Sequence, residues 1–115
     1  MSITDALETH RDELVEALLQ VIQGDGDSPE VRQFAVGWYA LMAASAAGDN
    51  GPRDEYLASV VPPLRESGFP FEQMVTGLVG MAAAAGTVLG PTHARWLSSF
   101  FAEYARELFK WWEQT

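Results

Sequence analysis

The sequence contains no cysteine, so disulfides, thiolate metal sites and thiol nucleophiles are excluded. Basic residues are also scarce, with seven lysines and arginines against sixteen acids and a formal net charge of −9. Because binding to nucleic-acid phosphates requires clustered basic side chains, we expect no direct nucleic-acid partner. The acids are concentrated before residue 59, which indicates a solvated acidic surface that keeps the chain soluble.

The N-terminus lacks the pattern of a secretory signal. Residues 2–5 read Ser-Ile-Thr-Asp, and the acids Glu8, Asp12 and Glu13 follow where a signal would have a basic and then an apolar segment. At 115 residues the chain fits one helical domain, residues 1–115, that is long enough to fold without a metal or disulfide. We therefore expect a single cytoplasmic domain.

Apolar residues recur at steps of three and four, the spacing of helices, and no alternating strand pattern competes with it. The second helix is expected to begin after Ser28 as its N-cap, and the third to end at Gly68. Pro62 and Pro63 are expected to kink or split the third helix. The five predicted helices lie at about 4–23, 29–47, 53–67, 70–89 and 92–115. The predicted fold class is all-α, a five-helix globin-like or orthogonal helical bundle.

Residues 74–92 carry no charge. Gly90 and Pro91 end the helical part near Leu89, leaving roughly 16 helical residues, fewer than the ~20 that a bilayer span needs. We therefore expect no membrane span, and predict a central helix buried on most sides by its neighbours. The apolar positions expected on one side of this helix are Phe71, Met74, Val75, Leu78, Ala82, Ala85 and Leu89.

The last predicted helix is crowded with aromatic residues in two adjoining stripes, an apolar arc wider than one packing partner covers. One stripe is assigned to the core. For the other we predict a homodimer interface, with a different partner protein or a pocket for a small apolar ligand as alternatives. The predicted interface residues are Trp96, Phe100, Phe101, Tyr104, Leu108, Trp111 and Trp112, with Gly80 of the fourth helix as a point of close approach.

No combination of residues dictates a reaction. His10 and Glu13 lie one helical turn apart, as expected of a solvated contact. His93 is a conceivable haem ligand, but its place in the first turn of a helix favours a structural role. Arg11 and its acidic neighbours resemble the first helix of all-helical chorismate mutases, whose dianionic substrate needs several convergent basic groups. We expect no enzyme, cofactor or metal; a haem or small-ligand sensor and a chorismate-mutase-type enzyme remain the alternatives.

Three stretches carry a family resemblance: Arg32-Gln33-Phe34, then Tyr56-Leu57 through Val60-Val61, then residues 68–75, Gly-Phe-Pro-Phe-Glu-Gln-Met-Val. In order and approximate length they resemble the N-terminal sensory domains of RsbR-type stressosome regulators. The resemblance implies a non-haem globin-like domain that dimerises and passes a signal through its last helix to a STAS domain. No STAS segment lies within residues 1–115. The chain is therefore expected to be either a stand-alone relative that binds a STAS-type or other signalling protein, or the sensor region of a larger regulator.

The sequence thus predicts a non-catalytic regulatory or sensory interaction module that homodimerises through its last two helices and signals by binding a partner. A partner or apolar ligand would act by biasing the packing of those helices between alternatives.

Overall fold

The computed structural model describes residues 2–23 and 29–113, and the regular structure in these residues is helical throughout. The all-α class is therefore confirmed for this part of the chain, although six α-helices replace the five predicted. Ser28, the predicted N-cap of the second helix, lies outside the described residues. The elements are α1 (Ile3–Thr9), α2 (Arg11–Gln23), α3 (Pro29–Ala46), α4 (Gly51–Glu66), α5 (Phe71–Leu89), a short 3-10 turn (Pro91–His93) and α6 (Ala94–Glu113).

The first predicted helix is two helices, because the chain leaves helical geometry at His10. This residue has φ −103° and ψ 21°. Its amide still donates to the Ala6 carbonyl at 3.0 Å, and its carbonyl accepts from the Leu14 amide at 2.9 Å. Thr9 and His10 both have lower helix propensity than alanine, leucine or glutamate, which favours a break here.

Helix α4 continues past the two prolines that were expected to interrupt it. Pro62 and Pro63 lie inside Gly51–Glu66, so the expected split is wrong. Both prolines are exposed, and so are Ala58 and Ser59, whose carbonyls lose their helical partners. Because these residues are open to solvent, water can satisfy the freed carbonyls and the helix continues.

Gly68 ends α4 as predicted. It adopts φ +82°, a left-handed conformation that glycine enters without a steric penalty. The Gly68 amide donates to the Arg65 carbonyl at 3.1 Å, and the Phe69 amide donates to the Leu64 carbonyl at 3.1 Å. This paired pattern satisfies the last carbonyls of the helix and turns the chain towards α5.

A continuous cluster of buried apolar side chains joins the helices. Helix α2 packs against both α3 and α5, and its Leu14 and Leu18 are fully buried. Helix α6 packs against α4 and α5. Burial of each such leucine contributes about 1.5–3 kcal/mol, so this cluster is the main source of stability.

Helix α5 is not the buried central helix that its composition predicts. It packs against α2 and α6, but only 22% of its most apolar 18-residue window is buried. That window has a mean hydropathy of 1.2, and among the described residues α5 is the one helix long and apolar enough to cross a membrane. Length and composition are the whole of this criterion, and the mostly buried core helices of soluble proteins also meet it. The buried residues of α5 are Leu78, Met81, Ala85 and Leu89. The described chain does not cover one uncharged side of the helix, on which Val75, Thr76, Val79, Ala83 and Thr87 are exposed.

Candidate interaction surface and aromatic cleft

Four of the eight predicted interface residues belong to the core of the chain. Trp38 of α3 covers two of them, with its ring centroid 6.1 Å from that of Phe101 and 4.7 Å from that of Tyr104. A partner could reach Phe100, Tyr104 and Leu108 only by opening the core, whereas an edge of Phe101 lines a surface groove between α5 and α6. The four residues, each at most 7% exposed, are Phe100, Phe101, Tyr104 and Leu108. Their assignment is therefore corrected from interface to core.

The three tryptophans of the predicted interface are half-buried. Trp96 stacks on Phe100 with ring centroids 5.2 Å apart, and Trp112 packs against Phe71 of α5 at 5.6 Å. Trp111 also packs against the core cluster. Each keeps part of its surface in solvent, but each is engaged in packing within the chain.

Gly80, the predicted point of close approach between two chains, faces α2 of its own chain. A Cβ atom at this position would lie 3.0 Å from Cγ1 of Val21. The absence of a side chain therefore lets α5 approach α2 closely. The assignment of Gly80 is corrected from a partner contact to a contact within the chain.

The apolar surface that stays exposed on α5 is centred on two valines. Val75 is 36% exposed and Val79 is 64% exposed. A shallow groove of about 290 Å³ runs beside them, between α5 and α6. We call this the α5–α6 groove; its lining residues are Val75, Leu78, Val79, Ala82, Phe101, Ala102 and Ala105. All of these side chains are apolar, so the groove offers a partner hydrophobic contact and no ionic one.

A second apolar depression, of about 350 Å³, opens where α2, α3, α4, α5 and α6 approach one another. Five aromatic side chains line it, and we call it the aromatic cleft. The Tyr56 ring lies 5.7 Å from that of Phe34 and 6.0 Å from that of Trp38, measured between centroids. The lining residues of the cleft are Val21, Ile22, Phe34, Trp38, Tyr56, Phe69, Gln73, Met74, Thr76, Gly77, Leu78, Met81 and Tyr104.

The polar side chains of this cleft are the phenols of Tyr56 and Tyr104, the Gln73 amide and the Thr76 hydroxyl. The Tyr56 hydroxyl is buried and has no hydrogen-bond partner among the described residues. Burial raises the pKa of Tyr56, and the nearby Trp38 indole N–H, which lies outside hydrogen-bonding geometry, lowers it only in part. Burial, and secondarily the neighbouring Tyr56, raise the pKa of Tyr104. Because a buried hydroxyl without a partner costs about 1–3 kcal/mol, Tyr56 is an unmet hydrogen-bonding group at this site.

Arg53 is a buried charge that the sequence did not single out. It is 7% exposed, and its Nη1 donates to Glu103 Oε1 of α6 at 2.7 Å. Its Nε and Nη2 donate to Asp54 Oδ1 at 3.1 and 3.0 Å. Burial alone would lower the pKa of Arg53, but the hydrogen bonds and charges of the two carboxylates outweigh it and the pKa is raised. The guanidinium therefore ties α4 to α6.

Three arginines that could in principle bind an anionic substrate contact carboxylates or rings of the chain itself. Arg32 Nη1 lies 2.6 Å from Glu16 Oε1, and the Arg11 guanidinium lies 5.6 Å from the centroid of the Tyr39 ring. Both contacts join α2 to α3, whereas Arg53 joins α4 to α6. Arg11 and Arg32 line one surface depression together with the carboxylates of Asp12 and Glu16, and Arg53 is not part of it.

The two histidines lie apart from the groove and the cleft. His10 Nδ1 is 3.1 Å from Glu13 Oε1 in an exposed contact. His93 is half-buried and lines an open surface depression together with Ile3 and Trp96. Within residues 2–23 and 29–113, no group of three or more histidine, aspartate or glutamate side chains is placed to hold a metal ion.

No family model matches the chain, and comparison with curated proteins and with solved structures gives no significant match. The resemblance to stressosome sensory domains and the globin-like arrangement therefore stay predictions from sequence. The structure supports a coarser description, an all-helical chain that has an exposed apolar groove and an aromatic cleft in its described part.

Proposed function

We propose that this chain is a non-catalytic regulatory or sensory interaction module that forms a homodimer through the α5–α6 groove. The observation that carries the proposal is the exposed apolar face of α5, on which Val79 is 64% exposed. Contact with water makes such a face unfavourable, and association relieves the cost. The proposed dimer surface thus moves from the aromatic side of α6, which the chain itself covers, to the outer side of α5.

The charge distribution favours a second copy of the chain as the occupant. With a net charge of −9, two copies repel each other unless they meet where no carboxylate lies. Residues 73–92 contain no ionisable side chain, so the outer side of α5 provides such a place. A two-fold symmetric contact sets this neutral surface against itself and needs no complementary charge on another protein. A basic partner would instead be attracted to the acidic first half.

Small side chains on the outer side of α5 suit close helix packing. Thr76, Val79, Ala83 and Thr87 recur every three or four residues, and all are exposed. The Thr76 hydroxyl donates to the Glu72 carbonyl at 2.9 Å, and the Thr87 hydroxyl donates to the Ala83 carbonyl at 3.1 Å. Because both hydroxyl donors are satisfied within the helix, a partner helix can cover them at little desolvation cost.

The signalling part of the proposal rests on α5 and on the family resemblance. Leu78 lines both the α5–α6 groove and the aromatic cleft, so a change of packing at one is felt at the other. A STAS-type or other signalling protein is proposed as the partner that reads this change. The globin-like arrangement of the helices is part of the same proposal.

Sedimentation velocity with a matched pair of charge variants tests the dimer. Val79→Glu places a carboxylate in the groove, and Ala58→Glu places the same charge at an exposed position of α4, away from it. We expect the wild type and Ala58→Glu to dimerise at micromolar concentration. Val79→Glu should dissociate about a hundredfold more easily, because two facing carboxylates repel and are desolvated.

Two outcomes would contradict this function. One is a wild-type chain that stays monomeric up to high micromolar concentration; flotation of that monomer with lipid vesicles would then assign the groove to a membrane surface. The other is a Val79→Glu dimer as tight as the Ala58→Glu dimer, which would place the interface elsewhere.

A further inference from the structure

We propose that the aromatic cleft is a binding site for a small, uncharged molecule of one or two rings that carries a hydrogen-bond acceptor. This site rests on the cleft alone, so it stands whether or not the chain dimerises. Its size is suitable: a cavity of about 150 Å³ holds one benzene ring, and the cleft measures about 350 Å³. Ligand sites in proteins are commonly apolar hollows with few polar groups, as this one is.

The shape of the ligand follows from the aromatic walls. Trp38 and Tyr104, at 2% and 1% exposure, lie at the buried side of the cleft, and Phe34 and Tyr56 stand beside them. Aromatic faces and edges at centroid distances of 4.5–7 Å pack favourably against a flat ring. Met74 and Met81 on α5 supply flexible, polarisable side chains that adapt to the outline of a ligand.

The charge of the ligand follows from what lines the cleft. None of its described lining residues is charged, so neither an anion nor a cation would find an ionic partner there. The net charge of −9 further disfavours anions. An uncharged molecule is therefore the class that the cleft accepts.

The hydrogen-bond acceptor on the ligand is inferred from Tyr56. Its hydroxyl is buried without a hydrogen-bond partner among the described residues, and the ring lines the cleft. A ligand carbonyl that receives this hydrogen bond, after a small turn of the ring, removes the penalty of the unpaired group. The same hydroxyl gives selectivity, because a ligand of the same shape without an acceptor leaves it unpaired.

Nuclear magnetic resonance of methionine methyl groups provides a local test with defined probes. The probes are 1-tetralone and tetralin, two fused-ring molecules that differ in one carbonyl. Met74 and Met81 line the cleft, whereas Met42 is fully buried and does not line it. We expect 1-tetralone to shift the Met74 and Met81 signals saturably and to leave Met42 unchanged. Tetralin should bind about five- to tenfold more weakly.

Three variants separate the cleft from other binding modes. In Gly77→Leu the new side chain grows from a position with no atom within 4 Å, so it fills the cleft and should abolish binding. Gly37→Leu makes the same change on α3, also into open space and away from the cleft, and should bind 1-tetralone like the wild type. Tyr56→Phe should bind 1-tetralone and tetralin equally, because the selective hydrogen bond is lost.

The proposal is overturned if 1-tetralone causes no saturable shift of Met74 or Met81 in the wild type. It is also overturned if Gly77→Leu still binds 1-tetralone as the wild type does, because binding would then lie outside the cleft. Preference for 1-tetralone that persists in Tyr56→Phe would remove the acceptor from the ligand class and contradict the proposal as stated.

Discussion

Helices α5 and α6 are neighbours of nearly equal length, 19 and 20 residues, but they use their apolar side chains in opposite ways. Helix α6 carries large aromatic residues and buries most of them against the chain, as Phe101 and Tyr104 against Trp38 show, although Phe109 is 49% exposed. Helix α5 carries small residues and leaves Val75 and Val79 in solvent. The comparison shows that α6 turns most of its large apolar side chains towards the chain. The exposed side of α5 is made mainly of small, uncharged residues.

Truncation of one side chain on each helix should give the largest contrast. Leu108 on α6 is fully buried and Val79 on α5 is 64% exposed. Leu108→Ala leaves a cavity in the core and should lower the free energy of unfolding by about 3 kcal/mol. Val79→Ala should change it by less than about 0.5 kcal/mol at a concentration where the chain is monomeric. Urea unfolding of both variants measures the contrast.

Equal losses for the two variants would mean that α5 is covered in the monomer and that the comparison is wrong. The same samples at high concentration sharpen the result. There, Val79→Ala should lose stability relative to the wild type, because the dimer contributes to wild-type stability by mass action.

Which apolar side chains of α5 and α6 are buried and which are exposed could be predicted only in part from sequence. In α6, charged residues such as Arg95, Arg106 and Lys110 mark the solvent-exposed side, so the apolar side was identified correctly. Which neighbour covers that side depends on Trp38, more than fifty residues earlier in the chain, and the sequence pattern does not show it. The aromatic residues were therefore assigned to a partner when the chain itself covers them.

In α5 the sequence did not show which side of the helix faces solvent. After Glu72 no charge marks a solvated side, so exposed Val75 could not be told from buried Leu78. The aromatic cleft was missed for a related reason, since Phe34, Tyr56 and Tyr104 meet only through tertiary packing. Local sequence signals were more informative. Glycine at position 68, which adopts a positive φ without steric penalty, correctly predicted the end of α4.

Alkaline pH offers a test of the aromatic side that initially needs no mutation. Tyr104 of α6 and Tyr56 of α4 have raised pKa values because they are buried. An unfolded tyrosine ionises near pH 10. Above that pH the unfolded chain releases protons that the folded chain retains, so stability should be constant below about pH 10 and fall above it. The slope should be about 1.4 kcal/mol per pH unit for each of these two tyrosines.

Urea unfolding at several pH values, with Tyr104→Phe as the comparison, measures this slope. The variant lacks one buried phenol. Above pH 10 its free energy of unfolding should therefore fall with a slope that is smaller by about 1.4 kcal/mol per pH unit. Parallel curves for the variant and the wild type would show that Tyr104 ionises equally in both states, and so that the inner side of α6 is open to water.

Two glycines on α5 provide the smallest and most specific test of which side of that helix faces the chain. Replacement of either by alanine gains about 0.5–1 kcal/mol from helix propensity. At Gly77 the new methyl group enters open space, so Gly77→Ala should show this whole gain in urea unfolding. At Gly80 the methyl group would lie 3.0 Å from Cγ1 of Val21, which must move aside, so most of the gain should be lost.

Because the two substitutions share one helix and one chemical change, their difference isolates the contact of α5 with α2. Gly80→Ala should also leave dimerisation unchanged, since Gly80 faces its own chain. A Gly80→Ala variant that is as stable as Gly77→Ala but dissociates into monomers would reverse the assignment, turning Gly80 towards the partner and the valines inward.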